Sequence, residues 1–517
     1  MRFRHTLTFF MLFVSFISFA QKDGKSKMVT LKYCDRWVED KINNPGVRDL
    51  IGNVLFEDGN TAMYCDSARQ FTDKNAFNAY GNVHIIKADS IHIYGDELLY
   101  DGNTKLAKLR RHVKMINTNS TLTIETEKLD YDLNTDIGFY FDGGTVTDTA
   151  FVLNSIKGYY FVNTGMVNFK NEVKVKTSGS DIFTDTLLYD TNTEIISILG
   201  PTNIYTDSVH LYSEDGWHDP KNNYSELKHN SSIQKGAQII EGEHLIYDGM
   251  AKNGEAFKWV EITDTLQQIK IKGKRGKFSE ATDYAYVTDS ALFIQYAGFD
   301  SLYLHADTLS FEPDTNDFKL MKAYHNVKFF RFDVQGKCDS IVYSTYDSVI
   351  NMYNDPVMWS LNNQMTGDEI HVISKNNHVE QIDMIGNAFL ISRVDSIRFN
   401  QIKGKKISGY IEKNMLRKIF VDGNTESLYY LIDGPYIVGI NKAESPYLTI
   451  FMHGNRIEKV IMSPKPVGKI LDPTKVTPGQ LILENFSWRL NERPFTPWEI
   501  FKSKKQVPAS PVVENAL

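Results

Sequence analysis

The stretch ADSIHIYGDELLYDGNT, Ala88 to Thr104, sets four acids, a serine and a histidine within seventeen residues. Acids beside a histidine can perform acid-base chemistry when a fold gathers them and shifts their pKa values. A second reading is one rung of a repeat. The core of the stretch is DELLY, Asp96 to Tyr100, and its pattern of acid, any, Leu, any, Tyr returns as EKLDY (Glu127 to Tyr131), DTLLY (Asp185 to Tyr189) and EHLIY (Glu243 to Tyr247). In each copy the next residue is Asp: Asp101, Asp132, Asp190 and Asp248. Looser copies stand at DSARQ (Asp66 to Gln70), DTLSF (Asp307 to Phe311), DSIVY (Asp339 to Tyr343) and DEIHV (Asp368 to Val372).

The copies fall about thirty residues apart, or at twice that spacing. The midpoints of the long gaps hold IKGYY (Ile156 to Tyr160), EDGWH (Glu214 to His218) and KRGKF (Lys274 to Phe278), with Gly in place of Leu. Eleven rungs therefore run from Asp66 to Val372, and a fixed period of this size marks a stacked repeat architecture. A second signature, GNV at Gly52 and Gly81, RHV at Arg111, HNV at His325 and GNA at Gly386, lies between them. Each unit is expected to hold two extended segments, one opened by Gly-Asn and one by an acid, joined by turns such as Asp101-Gly102.

Alternation along a strand assigns the faces. Leu98/Tyr100, Leu129/Tyr131, Leu187/Tyr189 and Leu245/Tyr247 hold their character while the residues between them vary. They form the interior, continued in the looser copies by Leu309/Phe311 and Ile341/Tyr343. Abundant Tyr and Phe (27 and 31) with recurrent Val, Ile and Thr agree with an all-β protein.

The chain opens MRFRHTLTFFMLFVSFISFAQK, with Arg2 and Arg4 before an apolar run to Ala20, the form of a secretory signal peptide over residues 1–20. Four parts follow from the pattern: this signal, a repeat region over 21–410, terminal rungs or a small β cap over 411–462, and residues 463–517. The last part holds a Pro-rich connector, a Trp-containing segment (Leu481 to Phe501) and a polar tail, read as a cap or as a docking peptide.

A net charge of −7 argues against a nucleic-acid or anionic-membrane surface. Of three cysteines, Cys34 and Cys65 are the pair that could bridge. No nucleophile elbow, HExxH motif or phosphate loop is present, and DTND (Asp314 to Asp317) lacks the remainder of a calcium loop, so no enzyme, cofactor or metal is expected. His84 and His92 could meet across a hairpin but lack a third ligand at a telling spacing. The acids are better explained as turn residues accepting backbone N–H bonds. Basic clusters stand at Lys105 to Lys114, Lys270 to Lys277 and Lys403 to Lys406. At a groove rim, Arg110, Arg111, Lys274 and Arg275 could pair with phosphates.

Gly52-Asn53-Val54, YCDSA (Tyr64 to Ala68), Gly81-Asn82-Val83 and the LYD rungs, spread between Tyr33 and Asn424, give the chain its family likeness. It resembles the OstA-like (organic solvent tolerance) family of periplasmic lipopolysaccharide-transport proteins, and is similar to a long Bacteroidota-type member. The resemblance implies an elongated open β-jellyroll of two twisted sheets in a V, with a groove for acyl chains lined by the inward residues named above. It further implies a periplasmic location, in association with the outer membrane, and lipopolysaccharide or a related glycolipid as ligand. The implied partners are other jellyroll components of the export bridge, the outer-membrane translocon and further copies of the chain end to end. Twelve Asp-Ser/Thr triplets, among them those at Asp66, Asp148, Asp264 and Asp300, are similar to the O-glycosylation acceptor of that phylum. A parallel β-helix serving as a surface adhesin or polysaccharide-binding protein is the alternative, and a solidly packed scaffold a third reading.

Overall fold

A computed structural model of the chain describes residues 28–502 except 207, 299, 315–317, 377 and 455. The expected signal peptide over 1–20 and the polar tail past residue 502 lie outside the described residues. The chain divides into two compact units, Met1–Thr149 with Ile156–Gly165, and Ala150–Ser155 with Met166–Leu517. Both are built of antiparallel strands, mostly ten to twelve residues long in the repeat, each pairing with its neighbours in sequence. That antiparallel register excludes the parallel β-helix.

The eleven motif copies fall on strands, and each thirty-residue period is a pair of strands such as Ala76–Lys87 and Ile91–Asp101. The two signatures do not open strands, as expected from sequence; they bend them at the middle. Gly81 and Asn82 both have positive φ (75° and 41°), and the register slips there, with Tyr80 opposite Glu97 but Val83 opposite Gly95. Two residues thus oppose one, a β-bulge that turns the strand. The same left-handed pair recurs at Gly52-Asn53, Arg111-His112, His325-Asn326 and Gly386-Asn387.

The motif acid caps this corner. Asn82 donates its Nδ2 to Asp66 Oδ2 at 2.9 Å, Asn326 to Asp307 at 2.9 Å and Asn387 to Asp368 at 3.1 Å. A Cβ on Gly81 would lie 2.5 Å from the Asp66 carboxylate, so Gly answers both the backbone angle and the close approach. The other acids are turn residues: Asp101 accepts from the Asn103 amide at 2.9 Å, Asp132 from Asn134 at 2.8 Å and Asp190 from Asn192 at 2.9 Å. The opening stretch is therefore a single strand between two turns, with a corner at Asp96 and a turn at Asp101, rather than a hairpin.

Within a unit, bends at these corners bring the first halves of the strands to face the second halves, as the bonds from Asp58 to Tyr100 and Lys105 show in the first unit. Cys34, Cys65 and Cys338 are free, so the expected candidate bridge is not formed.

In the second unit strands continue to Leu471, and then Pro478 to Phe501 forms three short 3₁₀ turns in a strap. Its apolar side chains enter the unit's core: Leu483 packs with Phe389, Ile391, Leu428, Tyr430 and Ile440, and Ile500 packs with Leu292 and Ile294. Buried glutamines on separate strands hold the backbone of the strap. Gln401 donates to Leu481 O (2.9 Å) and accepts from the Leu483 amide (2.9 Å). Gln364 donates to Ser487 O (2.7 Å) and accepts from the Arg489 amide (2.7 Å). Arg493 donates to Gln335 Oε1 at 2.8 Å. Glu492 pairs with Lys337 and with Arg489 (2.8 Å), which also pairs with Asp355 (2.6 Å). Burial alone would raise the Glu492 pKa, but Arg489 and Lys337 outweigh it and hold it near 2.

Gly81→Ala should destabilise the protein by about 1–3 kcal/mol in urea unfolding, because it adds strain and a steric clash. Gly179→Ala, where a Cβ meets nothing within 4 Å and φ is not positive, should stay within about 0.5 kcal/mol. Glu492 has a depressed folded-state pKa, so its contribution is complete above the ordinary glutamate value and is lost as pH falls through about 2. Hydrogen-exchange protection of residues 481–501, corrected for intrinsic rate, should drop over that window. Glu492→Gln should already show the drop at neutral pH, and a strap equally protected in both proteins would contradict the ion-pair assignment.

Candidate functional site

The interior between the facing sheets is the candidate site. Of the twelve residues assigned to it from sequence, ten are buried: Leu98, Tyr100, Leu129, Tyr131, Leu187, Tyr189, Leu245, Tyr247, Leu309 and Ile341. Phe311 and Tyr343 are half-buried. Cross-strand stacking continues along the first unit, with Phe56 and Phe77 ring centroids 3.9 Å apart and Phe77 and Tyr100 5.3 Å apart. In the second unit the space among Ile182, Leu187, Ile198 and Ile204 is too small for a water molecule. The interior at these rungs is filled with buried side chains.

What seals it is a set of polar clasps joining the two rows of turns. Asp58, at the end of strand Val47–Asp58, accepts from the Tyr100 hydroxyl at 2.5 Å and from Lys105 Nζ at 2.7 Å. Lys87, at the end of Ala76–Lys87, donates to Leu133 O at 2.5 Å and pairs with Asp136, which also accepts from the Tyr131 hydroxyl at 3.0 Å. Asn117, at the end of Leu106–Asn117, donates to the Tyr160 hydroxyl at 2.6 Å. A buried tyrosine hydroxyl needs a partner; for Tyr100 and Tyr160 it lies across the opening between the sheets, while Tyr131 bonds Asp136 in its own turn, which Lys87 reaches from the other side. Burial, and then the neighbouring carboxylate, pushes the Tyr100 and Tyr131 hydroxyls above the ordinary phenol value, so both stay protonated donors.

These clasp partners were missed in the sequence. Asp58, Lys87 and Asn117 follow the GNV signature at a fixed distance of five residues (Asn53 to Asp58, Asn82 to Lys87, His112 to Asn117), and that spacing was the available signal. In the later rungs of the second unit the strap lies over the inward side chains, including Ile294, Phe389 and Ile440, so the chain's own segment covers that part of the interior.

The basic residues occupy the corners rather than the turn-bearing edges. Arg110 pairs with Asp130 (2.7 Å) and Arg111 with Glu97. Among the described residues Lys274 and Arg275 have no ion-pair partner; Arg275 lies 5.6 Å above the Phe257 ring. His84 Nε2 and His92 Nδ1 do meet, at 3.1 Å, and His84 stacks on Tyr94 at 4.2 Å. Burial and then His92 hold the His84 pKa below the ordinary imidazole value, and the pair bonds ring to ring. Among the described residues no group of three or more His, Cys, Asp or Glu is placed to hold a metal.

Among solved structures, 15 chains match. One is LptH, the LptA-homologous periplasmic component of the lipopolysaccharide transport device of Pseudomonas aeruginosa, at 13% identity and a TM-score of 0.19, covering 25% of this chain and 95% of that one. At that score the likeness carries no weight for function. No curated protein matches. The family model for OstA-like proteins matches residues 25–185, which span the GNV corners, two full motif copies and the three clasps. Over residues 25–185 this chain is similar to the OstA-like proteins.

Proposed function

We propose that this protein is a periplasmic, lipid-binding bridge of the lipopolysaccharide-transport kind, holding acyl chains against its inward Leu and Tyr side chains on their way to the outer membrane. The observation that carries this reading is the OstA-like match over residues 25–185, whose rungs turn an unbroken apolar face inward. Each methylene taken from water into such an interior contributes roughly 0.8 kcal/mol. Because the interior is filled, loading requires the sheets to part, and the clasps are where they part. Polar clasps suit that task, since hydrogen-bonded groups exchange to water at a net cost of about 1 kcal/mol each, far below that of separating an apolar seam.

The unpaired cations Lys274 and Arg275 are the better candidates for a phosphate-bearing headgroup, since Arg110 and Arg111 are committed to carboxylates. End-to-end association with further copies, with other jellyroll components or with the translocon is supported by terminal strands that expose apolar side chains. Arg36–Glu39 pairs on one side with Val47–Asp58 and leaves Trp37 53% exposed, and Val467–Leu471 leaves Val467 and Ile470 exposed.

A second reading, a solid scaffold that carries no lipid, is favoured by the burial of the lining. Photoreactive side chains at Leu98, Tyr131 or Leu187 decide between them in cells. Adducts with lipopolysaccharide are expected for the bridge, and their absence at every inward position would leave the scaffold. Tyr100→Phe cuts one clasp; it should lower stability by about 1–3 kcal/mol and raise the adduct yield from Leu98. An unchanged yield despite the lost stability would show that the clasp does not gate loading.

A further inference from the structure

A cavity of about 680 Å³ lies in the second unit between the last strands and the start of the strap. Its walls mix apolar side chains, Phe399 and Ile437 from the strands and Val476, Leu481 and Phe486 from the connector and strap, with polar surface from Arg398, Gln401 and Thr474. Its rim carries Ile397 and Tyr436, each 74% exposed, an unfavourable placement for large apolar side chains unless something covers them. The size falls within the roughly 300–1,000 Å³ of small-molecule sites.

The polar groups restrict what fits. The Gln401 amide has its oxygen and its nitrogen engaged by the strap backbone, at Leu483 N and Leu481 O, and is not available to a ligand. The one charged side chain in the lining is Arg398, which is half-exposed and pairs with Asp395 at 2.8 Å. Arg393 bonds the Asp395 backbone oxygen at 2.8 Å, so residues 393–398 set two guanidinium groups against one carboxylate, which only Arg398 reaches. A chamber with an apolar strip and a guanidinium at its margin suits an apolar body ending in an anion.

We propose that this cavity binds a single-chain lipid anion, its alkyl chain against Phe399, Ile437 and Phe486 and its carboxylate or phosphate at Arg398. The strap forms one wall, so the bound chain also fixes the strap in place. The site does not depend on the bridge reading: a resident lipid can sit here in a protein that transports none, and the interior can carry lipid with this cavity empty.

Sodium laurate, lauryl phosphate and 1-dodecanol, each titrated below its aggregation limit into the full chain by calorimetry, test the assignment. One laurate or one lauryl phosphate per chain is expected, and whichever binds tighter identifies the headgroup. Arg398→Gln should weaken both anions at least tenfold and leave dodecanol unchanged. Val476→Trp, which fills the cavity from the connector side, should abolish binding of all three. Should that variant fail to fold, hydrogen exchange of the unaltered protein keeps the test open: laurate should protect residues 430–440 and 473–486. Absence of saturable laurate binding, binding insensitive to Val476→Trp, or no protection of those segments would overturn the proposal. Laurate binding with no interior crosslinking would refute the bridge reading alone.

Discussion

The ladder of the repeat turns a corner partway along its strands, and at the Gly-Asn signatures and the Arg111-His112 pair the device that turns it is the contact between a carboxylate and a left-handed pair. Two successive residues at positive φ are strained for most side chains, and the left-handed angle favours Gly and Asn. The acid on the neighbouring strand fills the hollow they leave and takes the Asn side-chain donor, as Asp66 does for Asn82. Without the corner the ladder would be a flat ribbon with its Leu and Tyr side chains exposed to water. With it, the same alternation that marks any strand gives facing strand halves and a shared interior within each unit.

Residues that must appear in every rung were legible in the sequence. The period, the inward Leu and Tyr positions and the turn acids Asp101, Asp132 and Asp190 all follow from repetition plus the two-residue period of a strand. The signatures were located correctly and their role was misjudged: Gly-Asn and the motif acid look like punctuation that starts a strand. Their long-range partner, about sixteen residues away for Asp66 and Asn82, is invisible to local turn chemistry. The clasps escaped for a related reason. Asp58 and Tyr100 are joined across 42 residues, and no local propensity predicts a contact that exists only after the ladder has folded over. Cys34 and Cys65 lie in neighbouring rungs, yet both remain free thiols; proximity in a repeat does not by itself meet disulfide geometry.

The strap shows the same limit at larger scale. Leu481 to Phe501 reads as an aromatic-rich tail in sequence. In the fold, Gln335, Gln364 and Gln401 are polar residues at buried positions of the later rungs, where the strap gives them partners. A buried glutamine with no partner would cost about 1–3 kcal/mol, so these three positions are intelligible once the segment they hold is in place. In both units the apolar interior is covered by groups of the chain itself, clasps in one and clasps' counterpart, the strap, in the later rungs of the other.

Under the proposed bridge function, a filled interior closed by polar bonds is the resting state and acyl chains enter where the clasps open. Spin labels at Asn60 and Thr104, two exposed turn residues in the first unit beside Asp58 and Lys105, report the separation of the two rows of turns directly. In a background with the three cysteines replaced, pulsed electron-spin measurements should give one short, narrow distance for the free protein. Lipopolysaccharide should shift it to a longer, broader distribution. An unchanged distance at a concentration where lipid is demonstrably bound would contradict the account.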